Sequence, residues 1–454
     1  LEDAQYVAQL VEKARAAQRI FECATQNQVD EAVRAIAKAI FDNAEPLARM
    51  AVDETRMGVY EDKIKKNQGK ARVIWNGMKG GKSVGILREL PEEGLVEVAK
   101  PIGVVGAVTP TTNPIVTPMC NAMFAVKGRN AILICPHPRA RKSSAAAVRL
   151  MKQALLPLGV PEDLVQIIEE PSVERSSQVM KLCDICISTG GAGMVRAAYA
   201  SGKPAFGVGA GNVQCLVDEG VDYERAVPMI IEGRRFDNGI ICSAEQTAIL
   251  PARDYDAIVE VFCRHGALYV EEPAQVKKLR EILFPGGIMN KDMVGQSAVF
   301  VARQAGIHVP EDTRVLLVKA AGYGRDDLYA KEKMCPVLAA YTYETWTEAV
   351  NIALENLLVE GAGHSVCMHT HNREHIRYAA DKLPVSRFLL NQICATSNGG
   401  SFYNALSPTT TLGCGSWGNN SISENLSWKH LFNVSRIADI RPGSHMPSDD
   451  EIWG

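Results

Sequence analysis

From residue 102 onward, short apolar runs take turns with amphipathic stretches, and this alternation limits the fold more than any other feature. IGVVGAVTP precedes an expected helix near 115–127, and AILIC precedes one over 140–156 with Val148, Met151 and Leu155 on one face. LVQII, ICIS and AFGVG follow, separated by a short helix and by one opened by GGAGMVRAAYASG. Parallel strands need long crossovers, and crossover helices cover the sheet they join. The pattern therefore predicts a parallel, doubly wound α/β sheet of the dinucleotide-binding kind.

A second series starts at VQCLVD, passes through a helix near 221–235 into DNGIIC, and continues to about residue 420. The first 80 or so residues read as helices, with Val7, Leu10, Val11 and Ala14 on one stripe and Val33, Ile36, Ile40 and Phe41 on another. VGILREL and LVEVAK, separated by the turn PEEG, read as an exposed hairpin, and FNVSRIA as a late strand before a polar tail. At 454 residues the chain is too long for one core. The expected division is a cofactor-binding domain from 1–85 and 105–212, a catalytic domain from 213–425, and an oligomerisation arm from 86–104 and 426–454.

A formal charge of −3 with no basic block leaves no footprint for nucleic acid or an anionic membrane, which points to small-molecule partners. No window approaches the roughly 18 apolar residues of a membrane span, and no secretory h-region is visible, so the expected location is the cytoplasm. Twelve cysteines without a secretory segment argue for reduced thiols. Cys120, Cys135, Cys215 and Cys263 lie in apolar runs and read as core. Cys183 and Cys186 form a single CxxC in a strand-like run with no second pair to complete a zinc site. His369, His371 and His375 in HTHNREH read as a solvated loop entering a helix, so no metal is expected.

One cysteine stands apart. Cys242 in DNGIICSAEQ follows an Asn-Gly pair that favours a sharp reversal, and only small side chains come after it before Glu245. Asn113, between two prolines in TPTTNPIVT, stands at a strand's carboxyl end, where its amide can donate to an oxyanion. His364 in EGAGHS, flanked by glycines, is expected on an accessible loop as a proton-transfer group. GGAG at 190–193 offers bare backbone to a pyrophosphate. In PHPRARK, Arg139, Arg141 and Lys142 begin a helix where the macrodipole prefers acids, which suggests a phosphate partner.

Together TPTTNP (109–114), PHPRA (136–140), STGGAG (188–193), FDNGIICSAEQ (236–246), KEKMCPVLA (331–339), EGAGHS (360–365) and TTTLGCGSWGNNSISEN (409–425) resemble the aldehyde dehydrogenase superfamily, in its CoA-acylating branch, over essentially the whole chain. The resemblance implies a Rossmann-type cofactor domain, an α/β catalytic domain and a small β arm. It makes Cys242 the nucleophile, with Asn113 and the Cys242 N–H as oxyanion hole and His364 as a possible aid to thiol deprotonation. Thr109, Pro110, His137, Pro138, Arg139, Thr189, Gly190, Gly191 and Gly209 would bind the cofactor, and Glu332 the nicotinamide ribose. A homodimer or dimer of dimers is implied as well. The chain ends where a fused aldehyde/alcohol dehydrogenase would continue, and it begins without the extra helix that directs related enzymes to microcompartments, so the single-function form is expected.

Departures from the hydrolytic branch carry further expectations. That branch places a carboxylate in a segment that here reads FGVGAGN, with Gly207 at its position. Without that base, coenzyme A rather than water is expected to collect the acyl group. Arg139 stands near the position of a ribose-binding glutamate, so NADP is expected to serve at least as well as NAD. RRFDNGIIC, NPIVTPMCNAM, SISENL and PSDDEIWG are most similar to members of the branch that act on succinate semialdehyde, with acetaldehyde, propanal and butanal as alternatives. A succinyl carboxylate needs a cation or several donors, for which Arg234, Arg235, Ser243 and Lys70 are the candidates.

Overall fold

The computed structural model describes residues 2–454 and contains three sheets. The first joins β1 (Gly85–Leu90), β2 (Leu95–Pro101) and β15 (Phe432–Ala438) in antiparallel order, the late strand pairing along the whole of β2 from Phe432 opposite Pro101 to Ala438 opposite Leu95. The second is built from β3 (Val104–Thr109), β4 (Ala131–Pro136), β5 (Val165–Ile167), β6 (Ile185–Ser188) and β7 (Ala205–Gly207), all parallel in the order β5-β4-β3-β6-β7. Every residue of β3 and β4 is buried, as expected of strands covered on both faces.

The third sheet has seven parallel strands: β8 (Gln214–Val217), β9 (Thr247–Pro251), β10 (Ala267–Val270), β11 (Val315–Lys319), β12 (Val337–Tyr343), β13 (Gly363–His369) and β14 (Val385–Leu390), in the order β10-β11-β12-β9-β8-β13-β14. Its two faces carry separate cores, and β12 shows why. Val337, Ala339, Tyr341 and Tyr343 enter one core while Leu338 and Ala340 enter the other, the period of two that a pleated strand imposes.

Four helices, Glu2–Phe21, Gln26–Asp42, Ala44–Thr55 and Tyr60–Met78, precede the arm. Val7, Val11 and Ala14 of the first, with Val33, Ile36 and Ile40 of the second, join the core of the five-stranded sheet. Thr25 and Gln28 form a reciprocal capping box that starts the second helix. No helix among the described residues is long and apolar enough to cross a membrane.

Candidate active site

Cys242 is presented by a turn that local sequence alone would not hold. After the helix Tyr223–Arg235, three successive residues are left-handed: Asp237 (φ 50°), Asn238 (φ 53°) and Gly239 (φ 68°). Non-glycine residues in that region cost about 1 kcal/mol or more each, so partners must hold them. Asp237 Oδ1 accepts from Val59 N at 2.9 Å, its N–H donates to Asp62 Oδ2 at 2.9 Å, and Oδ2 takes Lys63 at 3.1 Å together with Lys66. Burial opposes the charge on Asp237, but the two lysines outweigh it and hold the carboxyl below its ordinary range.

Arg234 closes the turn from the other side. Its guanidinium donates to the carbonyls of Gly239 (2.9 Å), Glu245 (2.8 Å) and Cys335 (2.6 Å), and to that of Lys333. It is fully buried, and desolvation brings its pKa down to about 10. The expectation that Arg234 meets a substrate is therefore corrected: it is buried outside the cavity lining, and its terminal nitrogens donate to backbone on both sides of Cys242. Arg235 is corrected likewise, being paired with Glu232 and Asp62. Ser243 does line the cavity, yet its hydroxyl donates to Ala395 O at 3.0 Å.

The half-buried Cys242 opens on a cavity of about 420 Å³. Asn113, Lys65, Lys66 and Lys70 line it, with Phe402 and the 94% exposed Tyr403 also contributing, and no carboxylate does so among the described residues. Lys70 Nζ donates to Gly399 O (3.0 Å) and Thr409 O (3.2 Å), which leaves one N–H; burial brings its pKa down to about 8. The three lysines come from the helix Tyr60–Met78 and were not read from the sequence, apart from Lys70. For Lys66 the signal was there: with Lys63 and Lys70 it continues, at helical spacing, the stripe that Ile74 and Met78 bury, whereas Lys65 lies off that stripe and is exposed.

His364 departs from its expected setting. It lies in β13 and is fully buried, with Nδ1 against Ser365 Oγ at 3.0 Å and Nε2 buried without a partner among the described residues. Burial, then the nearby Arg387, push its pKa well below the ordinary imidazole value, so it is neutral. Gly363 (φ 86°) is glycine for contact rather than exposure: a Cβ there would stand 1.9 Å from Cys414 O.

The cofactor candidates Thr109, Pro110, His137, Pro138, Arg139, Thr189, Gly190 and Gly191 gather at the carboxyl ends of β3, β4 and β6, beside the point where strand order reverses between β3 and β6. This is where doubly wound sheets bind nucleotides. The fit is supported by two orphaned buried hydroxyls, Thr109 Oγ1 and Ser188 Oγ, and by Gly191, where an added Cβ would meet nothing within 4 Å. Packing does not require that glycine, and its bare backbone faces open space. At Gly209, in contrast, an added Cβ would stand 3.1 Å from Cys414 Sγ. Arg139 is exposed, but the helix start at Arg141 is already served: Glu54 accepts from Lys142 N (2.8 Å) and Ser143 N (2.7 Å). The argument from the macrodipole for a phosphate there is thus corrected.

Glu332 acts on Cys242 through its charge. Burial, then Glu360, push its carboxyl up to about 8. Burial, then Glu332, push the Cys242 thiol up to about 12. Such a group is a neutral thiol at low pH and gains thiolate only as pH rises. Iodoacetamide incorporation at Cys242 of the free enzyme, read by peptide mass spectrometry, is expected to climb about tenfold per pH unit from 7 to 9. A plateau near neutrality would show a preformed thiolate instead.

Other cysteine and histidine readings divide. Cys120, Cys135 and Cys215 are buried, whereas Cys263 is exposed at the end of a helix, against expectation. Cys183 ends a helix and Cys186 lies in β6. HTHNREH is not uniformly solvated, because His369 is buried and shares a 4.8 Å cluster with Cys215 and Cys367, away from His371 and His375.

A cysteine on a turn, an asparagine amide lining the same cavity and a crevice at a strand reversal fit an enzyme of the aldehyde dehydrogenase family, to which the chain belongs: residues 1–275 match that family. The chain is 54% identical over 448 residues to the succinate-semialdehyde dehydrogenase (acetylating) of Clostridium kluyveri, covering 99% of each. It superposes on an acetylating aldehyde dehydrogenase from Geobacillus thermoglucosidasius with a TM-score of 0.95, at 36% identity over 99% of both chains. A propionaldehyde dehydrogenase from Rhodopseudomonas palustris, with bound CoA and an acylated cysteine, gives a TM-score of 0.86 at 30% identity over 96% of this chain and 97% of that one.

Proposed function

We propose that the chain is a CoA-acylating aldehyde dehydrogenase that interconverts succinyl-CoA and succinate semialdehyde through an acyl-Cys242 thioester. The observation that carries this reading is a cysteine opening on a cavity walled by three lysines and no carboxylate. Cationic donors suit an anionic acyl tail, and a wall without a general base leaves an acyl-cysteine to a second thiol rather than to water. Gly207 adds to this: a Cβ there would stand 2.5 Å from Val195 Cγ1, so the position of the hydrolytic carboxylate is filled by packing.

In the oxidative direction the Cys242 thiol gives its proton to solvent and its sulfur bonds to the aldehyde carbon as the carbonyl π pair moves onto oxygen, an oxyanion that Asn113 Nδ2 and the Cys242 N–H hold. NAD or NADP, held by Thr109, Pro110, His137–Arg139, Thr189–Gly191 and Glu332, supplies hydride chemistry when bound. The CoA sulfur then bonds to the acyl carbon as the bond to Cys242 breaks. Neutral His364 is assigned to accept the CoA thiol proton. Residues 1–85 and 105–212 serve the cofactor and 213–425 the acyl group. The arm of β1, β2 and β15, with Ile86 and Ile437 exposed, joins subunits of a dimer or dimer of dimers in the cytoplasm.

Initial rates with succinyl-CoA, acetyl-CoA and butyryl-CoA, each with NADH and NADPH, test this reading. Succinyl-CoA is expected to give the highest kcat/KM, and the substrate assignment is wrong if it gives the lowest. Lys70→Gln keeps a donor for the two carbonyls and removes the charge. It is expected to cut discrimination for succinyl-CoA over butyryl-CoA about tenfold, the value of roughly one charged hydrogen bond. Comparing NAD(P)H production from the semialdehyde with and without CoA checks the absence of hydrolysis.

A further inference from the structure

The amide of Asn113 has only one workable orientation. Lys66 Nζ donates to Asn113 Oδ1 at 2.9 Å, and an ammonium has donors alone, so only the oxygen end of the amide can face it. The N–H₂ end is turned from Lys66, and both residues line the cavity onto which Cys242 opens. Lys66 is itself held: its side chain is 8% exposed and pairs with Asp237 Oδ2, whose carboxylate is fully buried and shared with Lys63 at 3.1 Å. Asp237 is also the first left-handed residue of the turn that carries Cys242. Gly58 lies so close that a Cβ would stand 2.0 Å from Asp237 Oδ1, which leaves the carboxylate no room to swing that way.

We propose that Lys66 is a positioning residue, and that the Lys66–Asp237 pair couples the nucleophile's turn to the orientation of the Asn113 amide. One buried carboxylate thereby sets both donors of the oxyanion hole, Asn113 Nδ2 through Lys66 and the Cys242 N–H through the turn. The cation at Oδ1 also polarises the amide and strengthens its N–H₂ as a donor. Removing Lys66 leaves Asn113 free to flip and to present oxygen, a repulsive group, to the developing charge. This inference rests on Asn113 being the oxyanion donor.

The test is a double-mutant cycle on kcat for acyl-CoA reduction, with Asn113→Ala, Lys66→Met and the two combined. Asn113→Ala is expected to lower kcat about 10²-fold, and Lys66→Met about 10- to 30-fold with KM for NADPH unchanged. The combined variant is expected to be no more than about twofold slower than Asn113→Ala, since an amide that is gone cannot be oriented. If Lys66→Met fails to fold by thermal melt, Lys66→Gln takes its place in the same cycle, because an uncharged amide no longer dictates which end of Asn113 faces it. Additive losses, or a Lys66 variant within threefold of the parent, overturn the inference and leave the oxyanion assignment standing. Full turnover in Asn113→Ala overturns the assignment itself.

Discussion

Cys242→Ala is expected to lower kcat about 10⁴-fold or more in both directions while NADPH fluorescence titration returns the parent's affinity. The magnitude follows from the route: without sulfur there is no acyl-enzyme, and direct transfer to CoA has no covalent intermediate to divide the barrier. No neighbour can substitute. Ser243 donates to a backbone carbonyl, and Cys394 and Cys414 are fully buried. Burial raises the thiols of both further. Affinity for the dinucleotide should persist because its candidate residues other than Glu332 stand at the ends of β3, β4 and β6, on a different sheet from the strand that follows Cys242. The substitution removes one half-buried sulfur, so the fold loses little. Cys242→Ser is the sharper companion, since it keeps a nucleophilic atom but yields an ester that a thiol exchanges poorly. Residual kcat above about one per cent of the parent in the alanine variant would place the acyl group elsewhere.

What the sequence disclosed depended on how local the cause was. The parallel sheets were legible because β3 and β4 are continuous apolar runs, a pattern that only burial on both faces requires. The reversal before Cys242 was legible at Asn238 and Gly239, which favour positive φ by themselves. At Asp237 it was not, since the left-handed backbone there is held by Val59, Lys63 and Lys66, more than 170 residues upstream. His364 was misread for a related reason. Glycines on either side suggest an open loop, but Gly363 is needed because Cys414 O fills the space of its side chain. Arg234 looked like a cation waiting for a substrate, and its real partners are carbonyls of the turn that follows it and of Cys335, 101 residues downstream. Charges whose partners lie far along the chain are invisible to spacing, even when, as with Lys66, the helical stripe shows that something must neutralise them.

Gly211→Ala carries the second large effect and is expected to cost about 10²-fold in kcat together with about 1–3 kcal/mol of stability. Gly211 does not have a positive φ, so alanine is conformationally allowed and the whole effect comes from contact. Its Cβ would stand 1.9 Å from Cys242 O, 2.6 Å from the carbonyl carbon and 2.8 Å from Cα. Relief needs a separation of about 1 Å or more, and misplacement on that scale is enough to lose the attack geometry of a nucleophile. Neither side yields easily. Arg234 grips the carbonyls of Gly239 and Glu245 on both flanks of Cys242, while Asn212 Nδ2, next to Gly211, donates to Ala330 O at 2.7 Å and Glu360 O at 2.8 Å. Gly106→Ala is the control, because its Cβ would stand 2.8 Å from Val179 Cγ1 in the core of the five-stranded sheet, and neither residue lines the cavity. It should lose comparable stability by thermal melt and keep kcat within about threefold, since overpacking there moves no reacting group. If the two variants lose kcat alike, or Gly211→Ala loses stability alone, then the close approach of Gly211 serves packing and does not set where the sulfur stands.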